Sequence, residues 1–563
     1  MRVAEALAAP IPRAAERARL SAVSPLGILV AAMAILVLAA PPAGEFPIDD
    51  DWNYTRMVQA LVERGQLELP PWSAASLLLQ TVWGALFARL LGFSFATLRE
   101  STLVLGAVAV LGTYVLLRNL TDGRRALFGS LLLLFNPLFV FRSYSFMSDV
   151  PFLALAVWSM VCYVRAFRGS TAASGWLLAG SALAAGSYLI RQVGVLLPVA
   201  CFVVLLLRPG QAVASRSRRL VAVVLPLLPA LLLGAYFDAM RAAVKQEPLS
   251  WTLGFWAHHG LGMSGILLAR LAEALSTLGL FTLPLTIGIL ADRRSPRFTA
   301  RQRLAIAAVI AVMLTGLIVR TVVLDRSPLF PHAMNVLSAH GFQAFDYNDT
   351  LPAGVDTPTW ALALTTIAAL VGGGFLIVAT TRYATGPRSQ AAAGVPLVFG
   401  ALAFLATLAY YTLYDSYLVA LLPSAILMVA LAVPAPRWES GVAVVAVALL
   451  AAWSIWWERE YLQRRDALWK AGQALVQLGV PPEEIDGGYE WNGWFRGQAI
   501  FDSAIQQSKS GSMRQLENFV LLNLRKRMRW TIAFQPPEAS GGGRVLTVLP
   551  YGVGQHVYAI QRQ

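Results

Sequence analysis

VSPLGILVAAMAILVLAAPPAGEFPIDDDWNYTR, residues 23–56, decides how the rest of the chain is read. Val23–Ala40 is an uninterrupted apolar run, close to the ~20 helical residues that cross a hydrocarbon core of ~30 Å. Soon after it come three adjacent carboxylates, Asp49, Asp50 and Asp51, in a chain of which only 13% is charged. Neighbouring carboxylates repel one another, so a folded site keeps three only where water, a metal, a basic partner or a reaction compensates them. The first half of the stretch points to a membrane, and the second half asks what the acids are for.

Composition answers the first point for the whole chain. Its 563 residues are 57% hydrophobic, with a mean hydropathy of +0.60, whereas a soluble domain is about a quarter charged. Apolar runs of membrane-crossing length recur along most of the sequence, about thirteen in all. The net charge of +14 suggests no nucleic-acid partner, because the arginines cluster in short loops between apolar runs, where topology accounts for them. Cys162 and Cys201 lie inside apolar runs and offer neither a disulfide framework nor a thiolate metal site. The first apolar run lacks a small-residue cleavage site and leads into a polytopic pattern, so it reads as a retained span.

Basic loops orient the chain. Arg2, Arg13, Arg17 and Arg19 precede the first span, which places the N-terminus in the cytoplasm and IDDDWNYTR outside. The segment from Pro41 to about Glu100 is amphipathic, and MVQALVERGQL and SLLLQTVWGALFARLLG suit helices lying in the interface. A second span, Leu103–Leu117, returns to Arg118, Arg124 and Arg125. The further basic loops fall inside if the spans alternate: Arg165 with Arg168, Arg208 with Arg216–Arg219, Arg293–Arg303, Arg382 with Arg388, and Arg437. The outer loops carry the triple aspartate, RSYSFMSD at 142–149, FWAHHG at 255–260 and a long stretch at 323–358.

After a last span at Val442–Trp457 the composition becomes ordinary. Helical spacing over Arg465–Leu478 precedes the turn-rich VPPEEIDGGYEWNGWF, and Arg544–Pro550 and His556–Gln561 read as strands joined by a glycine-containing turn. The expected architecture is an all-α polytopic membrane protein. It has interfacial helices in the first outer loop and a small C-terminal α/β domain, divided as 1–457 and 458–563. An odd number of spans puts that domain outside.

Each acidic residue has a structural explanation of its own. Asp51 suits a helix N-terminus, and Asp149 in SFMSDVPF precedes Pro151, which fits a first helical turn. Arg191 in SYLIRQVGVLLP is harder to explain, because an arginine facing lipid costs at least a few kcal/mol. It either snorkels to the headgroups or binds an anion, since a guanidinium takes phosphate in bidentate fashion. Carboxylates and an out-of-place arginine on one membrane face suggest transfer chemistry on a phosphate-bearing lipid.

The order of these features resembles the GT-C membrane glycosyltransferases, the superfamily of protein O-mannosyltransferases and lipid A aminoarabinose transferases. The matching stretches are DDWNY at 50–54, MSDVPF at 147–152, LIRQVGVLLP at 189–198 and YDSYLVALLP at 414–423. The pattern covers residues 1 to about 457 and is clearest in the N-terminal half; Ser416 stands where related sequences often carry arginine. The resemblance implies an inverting transfer of a sugar from a polyprenyl-phosphate donor to an extracytoplasmic glycan, lipid or protein hydroxyl, in a bacterial inner membrane. It implies Asp50 as general base, with Asp51 and Asp149 orienting the acceptor or binding a metal. Arg191 and Tyr54 would meet the donor phosphate, and Asp49, Asp415, Tyr417 and Glu490 would contact acceptor or sugar. No cofactor is specified; a divalent metal is a candidate, with His258, His259 and His332 as weak ligands of no recognised spacing. GYEWNGWF serves equally well as a sugar grip or as domain core. Two other readings stand beside the enzyme: a transporter or flippase of envelope lipids or glycans, and an envelope assembly factor. A transporter expects mid-membrane ionisable groups and symmetric helix breaks, whereas these acids sit at the ends of spans on one side.

Overall fold

A computed structural model describes residues 24–68, 73, 75–168, 172–207, 216–240, 248–259, 262–291, 299–332, 335–342, 357–385, 391–432, 441–507, 520, 522–524, 528–536, 543–551 and 555–562. Arg2, Arg13, Arg17, Arg19, Arg208, Arg293, Arg388 and Arg437, on which the orientation partly rests, lie outside these residues.

The chain begins with α1 (Pro25–Ala39), then α2 (Asp51–Glu63) and α3 (Leu78–Leu91) in the first outer segment. α4 (Phe95–Leu120), α5 (Gly123–Leu134), α6 (Pro137–Ser143), α7 (Asp149–Phe167) and α8 (Ala173–Tyr188) follow. α9 (Leu196–Leu207), α10 (Arg216–Val224), α11 (Leu227–Met240), α12 (Pro248–His259), α13 (Met263–Ala291) and α14 (Ala300–Leu324) lead to a short hairpin, β1 (Leu337–Ser338) and β2 (Gly341–Phe342). α15 (Thr359–Thr385), α16 (Gly394–Ala409), α17 (Leu422–Ala432) and α18 (Gly441–Gln477) complete the helical body. The C-terminal part holds β3 (Ile485–Asp486), α19 (Gly488–Gln507), β4 (Trp530–Ala533), β5 (Arg544–Tyr551) and β6 (Gln555–Gln561).

Among the described residues, eight helices are long and apolar enough to cross a membrane, or nine if the bent pair α5–α6 is one span. The protein is therefore a multi-pass membrane protein. Where two of its helices cross most closely, at Gly279 of α13 and Gly372–Gly373 of α15, a Cβ on Gly279 would come within 2.1 Å of the Gly373 nitrogen. This is the small-residue contact that lets helix backbones approach in lipid.

Three elements depart from their expected bounds. α4 starts eight residues before Leu103, because Ser94 accepts the Thr97 N–H at 3.0 Å and caps it. α2 starts at the aspartates themselves and is buried on Asp51–Thr55, Met57, Val58 and Ala60. α18 runs unbroken through Trp457 to Gln477, so one helix carries the last span into the C-terminal part, and 457/458 is not a break in the chain. The two strands expected near the C-terminus form as β5 and β6, in a four-stranded sheet ordered β3-β4-β6-β5. β3 lies parallel to β4, and the other pairs are antiparallel.

Two helix breaks position the site. Pro137 has no N–H to donate, and Asn136 Oδ1 accepts from Leu138 N at 3.0 Å and Phe139 N at 3.3 Å, so the path bends by 62° between α5 and α6. Arg191 itself is extended (φ −141°, ψ 132°) between the end of α8 and a single 3₁₀ turn, Gln192–Val195. Carbonyls released at that break accept from the start of α3: Leu77 N–H to Ile190 O at 3.1 Å and Leu79 N–H to Leu189 O at 3.4 Å.

The first outer loop hangs on Arg99. Its Nε donates to Tyr144 O at 2.9 Å, Nη1 to Pro42, Ala43 and Gly44 carbonyls at 2.9, 3.1 and 3.2 Å, and Nη2 to Phe46 O at 2.9 Å. Its guanidinium also lies over the Phe46 ring, 4.6 Å from the centroid. Lysine cannot reproduce this planar fork. Arg99→Lys is expected to leave buried carbonyls unpaired and to destabilise the protein by about 1–3 kcal/mol, read as a lower midpoint of thermal unfolding in detergent; an unchanged midpoint would show that the loop is held by other contacts.

Candidate functional site

Each of the three adjacent aspartates goes to a different partner. Asp49 adopts a left-handed backbone (φ +59°) and turns back into the protein. There its Oδ2 accepts from Arg142 Nη1 at 2.7 Å. Asp50 N-caps α2 by position and is half-buried; its Oδ1 accepts a hydrogen bond from the Tyr489 hydroxyl. Asp51 is buried, with Oδ1 on Ile48 N–H at 2.6 Å and Oδ2 on Phe146 N–H at 3.1 Å. Burial pushes its carboxyl well above the usual carboxylate range, against the pull of the two N–H groups and Arg99. Asp51 therefore ties the first outer loop to the α6–α7 connection, a structural role.

Arg142, at the end of α6, is the centre of the charge network. It is 1% exposed, pairs with Asp49, and its Nε lies 3.6 Å from Asp149 Oδ2. Asp149, first residue of α7, also accepts from Arg191 Nη1 through Oδ1. The chain order is thus Asp49–Arg142–Asp149–Arg191, acid and base in alternation. Arg191 is its open end, with 22% of its side chain exposed. Burial works against the Arg191 charge, but the Asp149 carboxylate, through its charge and its hydrogen bond, outweighs it and pushes the guanidinium above its ordinary value. Tyr417 presents its ring to Arg191 at 5.4 Å and packs against Tyr410 and Tyr414. Tyr54 is buried beside them; burial, then the charge of Asp50, raises its phenol pKa, so its hydroxyl stays protonated.

The remaining candidates are placed differently. Both Asp415 oxygens accept backbone N–H groups, from Val336 at 2.9 and 3.2 Å and Leu337 at 2.8 Å, so this carboxylate pins the β1–β2 loop to the body. Glu490 pairs with Arg465 at 3.0 Å and accepts the Asp49 N–H at 3.4 Å. His258 is exposed on α12, and the side chain of His259 lies outside the described residues. His332 is fully buried against Phe330, 5.6 Å between ring centroids. Among the described residues no group of three or more His, Cys, Asp or Glu is arranged to hold a metal ion. Asp49 and Asp149 are met by guanidinium groups, a donor set that does not fit a divalent cation.

Two residues at the site carry no role in the sequence reading. Arg142 belongs to the aromatic stretch NPLFVFRSYSF, and the criterion that singles out Arg191, an arginine near the outer end of an apolar run, applies to it equally. Tyr489 has no such signal, because its partner is 439 residues away.

Residues 83–234 match the family model described as dolichyl-phosphate-mannose-protein mannosyltransferase. The match runs from within α3 to within α11 and contains Arg142, Asp149 and Arg191; the triple aspartate lies ahead of it. It agrees with the GT-C resemblance drawn from the sequence. No curated protein matches the chain. Among solved structures, the chain is similar to the archaeal oligosaccharyltransferase AglB from Archaeoglobus fulgidus, in complex with an inhibitory peptide and a dolichol-phosphate. That likeness has 15% identity and a TM-score of 0.43, over 90% of this chain and 69% of that one. It is similar also to ArnT from Cupriavidus metallidurans bound to undecaprenyl phosphate, with 14% identity and a TM-score of 0.36, over 95% of this chain and 97% of that one.

Removing a shared buried cation leaves carboxylates uncompensated, which costs about 3–5 kcal/mol. Arg142→Met is therefore expected to lower the unfolding midpoint sharply, and Asp49→Asn added to it to restore part of the loss; equal midpoints for wild type and Arg142→Met would remove Arg142 from the centre of the network. A second expectation concerns acid. Burial, with the Arg320 charge adding, pushes His332 down to about 3. The unfolded chain, with a histidine near ~6.5, takes up that proton first, so stability falls as pH drops below ~6.5, by up to ~1.4 kcal/mol per pH unit. His332→Gln should flatten the change in midpoint between pH 7 and pH 5; an identical pH dependence in both proteins would contradict the assignment.

Proposed function

We propose that this protein is an inverting membrane glycosyltransferase. It moves a sugar from a polyprenyl-phosphate donor to an acceptor hydroxyl on the extracytoplasmic side, in a bacterial inner membrane with the C-terminal part outside. The observation that carries this reading is the alternating series Asp49–Arg142–Asp149–Arg191 beside Asp50, the only one of the three aspartates that is not fully buried.

In this reading the acceptor oxygen attacks the anomeric carbon as the bond from that carbon to the lipid phosphate breaks. The acceptor proton passes to the Asp50 carboxylate. A carboxylate is a weak base toward an alcohol, so proton transfer accompanies bond formation, an effect typically of ~10²–10⁴-fold. Attack opposite the leaving group inverts the anomeric centre. The donor phosphate, singly charged as a diester, leaves as a monoester with a second negative charge. Arg191 stands at the open end of the series, where that charge would build, and a fixed cation in a site shielded from water stabilises it most. Tyr54, kept protonated, is available as a donor to the same phosphate. Asp149 aims the Arg191 guanidinium, and Arg142 stands between Asp49 and Asp149 as the cation paired with both. Asp49 Oδ1, buried without a hydrogen-bond partner among the described residues, suits an acceptor contact. The family match over residues 83–234 supports the same class of chemistry.

The transporter reading is less well supported. The ionisable groups of this network sit at helix ends around the first outer loop, and their partners neutralise them within the protein.

The test pairs cells and purified protein. Mass spectrometry of envelope glycans and glycoproteins, with and without the gene, is expected to show one sugar modification that depends on it. Asp50→Asn, expressed at the wild-type level, should fail to restore that modification; full restoration would remove Asp50 as the base. Arg191→Ala is expected to weaken binding of undecaprenyl phosphate in detergent by about 10–100-fold, and unchanged affinity would refute the phosphate assignment.

A further inference from the structure

One face of α19 packs against the start of α2. Tyr489 donates to Asp50 Oδ1, and the Asp49 N–H reaches Glu490 Oε1 at 3.4 Å. One turn on, Gly493 and Gly497 form a notch filled by the Trp52 indole, where an added Cβ would come within 2.4 and 2.6 Å of the ring. Arg56 closes the contact, lying 4.7 Å from the Trp494 ring centroid and donating to the Trp494 carbonyl. The residues at 489, 490, 493, 494 and 497 follow helical spacing, so a single rigid helix face meets Asp49 and Asp50 at the start of α2 and Trp52 and Arg56 within it. Behind that face, Trp491 packs against Trp469 of α18 at 4.7 Å between centroids, and Arg465 of the same helix holds Glu490 at 3.0 Å. The support is thus continuous with the last membrane span.

We infer that the C-terminal part is a component of the reaction centre, with Tyr489 as the positioning residue that holds the Asp50 carboxylate toward the acceptor. This inference rests on the reading of Asp50 as general base. The Asp50 carboxylate sits at a helix N-cap position on two soft torsions, and the hydrogen bond donated by the hydroxyl of a rigid aromatic side chain restricts them. Misplacing a reacting group by about 1 Å costs on the order of 10²-fold in rate. The hydroxyl is the only part of Tyr489 required for this, while its ring belongs to the small core around Trp52, with Phe501, Ala504, Val520 and Leu524. In this reading the GYEWNGWF segment acts through the base.

The experiment compares wild type, Asp50→Asn and Tyr489→Phe, each as the full chain at matched expression in cells lacking the gene. The initial rate at which the gene-dependent envelope modification appears is measured by mass spectrometry. Undecaprenyl phosphate binding and the unfolding midpoint are measured on the purified proteins. Tyr489→Phe is expected to slow the modification by about 10–100-fold while lipid affinity stays within about twofold and the midpoint is unchanged, a separation that a merely structural contact does not produce. A wild-type rate in Tyr489→Phe with an inactive Asp50→Asn would overturn the positioning role alone. A slowed rate that falls in step with lipid affinity or midpoint would overturn it too, by making Tyr489 a packing residue. An active Asp50→Asn, or no gene-dependent modification at all, would overturn the underlying reading instead.

Discussion

A single buried guanidinium ties the segment that carries the aspartates to the head of α7. Arg142 stands between Asp49 of the first outer loop and Asp149 at the head of α7. Without it the two carboxylates would be buried charges with too little compensation. Burying an ion costs several kcal/mol, which its partners must offset through close geometry. The alternation Asp49–Arg142–Asp149–Arg191 achieves this by giving each internal member an opposite charge on either side. It also leaves one cation, Arg191, at the end of the series with part of its side chain open. A neutralised interior that ends in an accessible guanidinium suits a site that binds an anion and stabilises its growing charge.

The charges reach this arrangement because the helical path is broken at two places. At Asn136–Pro137 the path turns by 62° and sends Arg142 inward instead of along the α5 axis. At Arg191 the backbone is extended, and the freed carbonyls of Leu189 and Ile190 are taken up by the N–H groups that begin α3. A helix break leaves backbone groups that need partners, and here those partners come from the segment that begins α3. The loop that carries the aspartates is thus bound to the break that carries the arginine. Arg99, clasping four carbonyls of residues 42–46 and a fifth at Tyr144, sets the same loop from the other side.

The C-terminal part joins this assembly through α18, one helix of 37 residues that leaves the membrane without interruption. Its outer turns carry Arg465 and Trp469, which fix Glu490 and Trp491 and so set the angle of α19 against α2. Trp52 in the glycine notch makes that contact intolerant of any larger residue at 493 or 497.

Much of this was legible from residues alone. Apolar runs and their lengths specify a multi-pass helical protein, because lipid leaves backbone groups no partner except their own helix. Asp149 and Arg191 stand out because a charge in an apolar setting needs a reason, and the strands at the C-terminus follow from local alternation. The sequence could not divide the labour among Asp49, Asp50 and Asp51, three identical side chains in a row. The left-handed turn at Asp49 sends the first to Arg142, helix geometry leaves the second at the mouth of α2, and backbone N–H groups claim the third. Nor could it pair Asp50 with Tyr489 or Asp415 with the β1–β2 loop, since such contacts depend on how distant helices cross. Local chemistry is written residue by residue, so the sequence alone determined that this chain lives in a membrane and that it places charges at the ends of its apolar runs. Which acid meets which base is decided by relative positions that exist only once the helices have packed, and the tertiary structure alone supplied them.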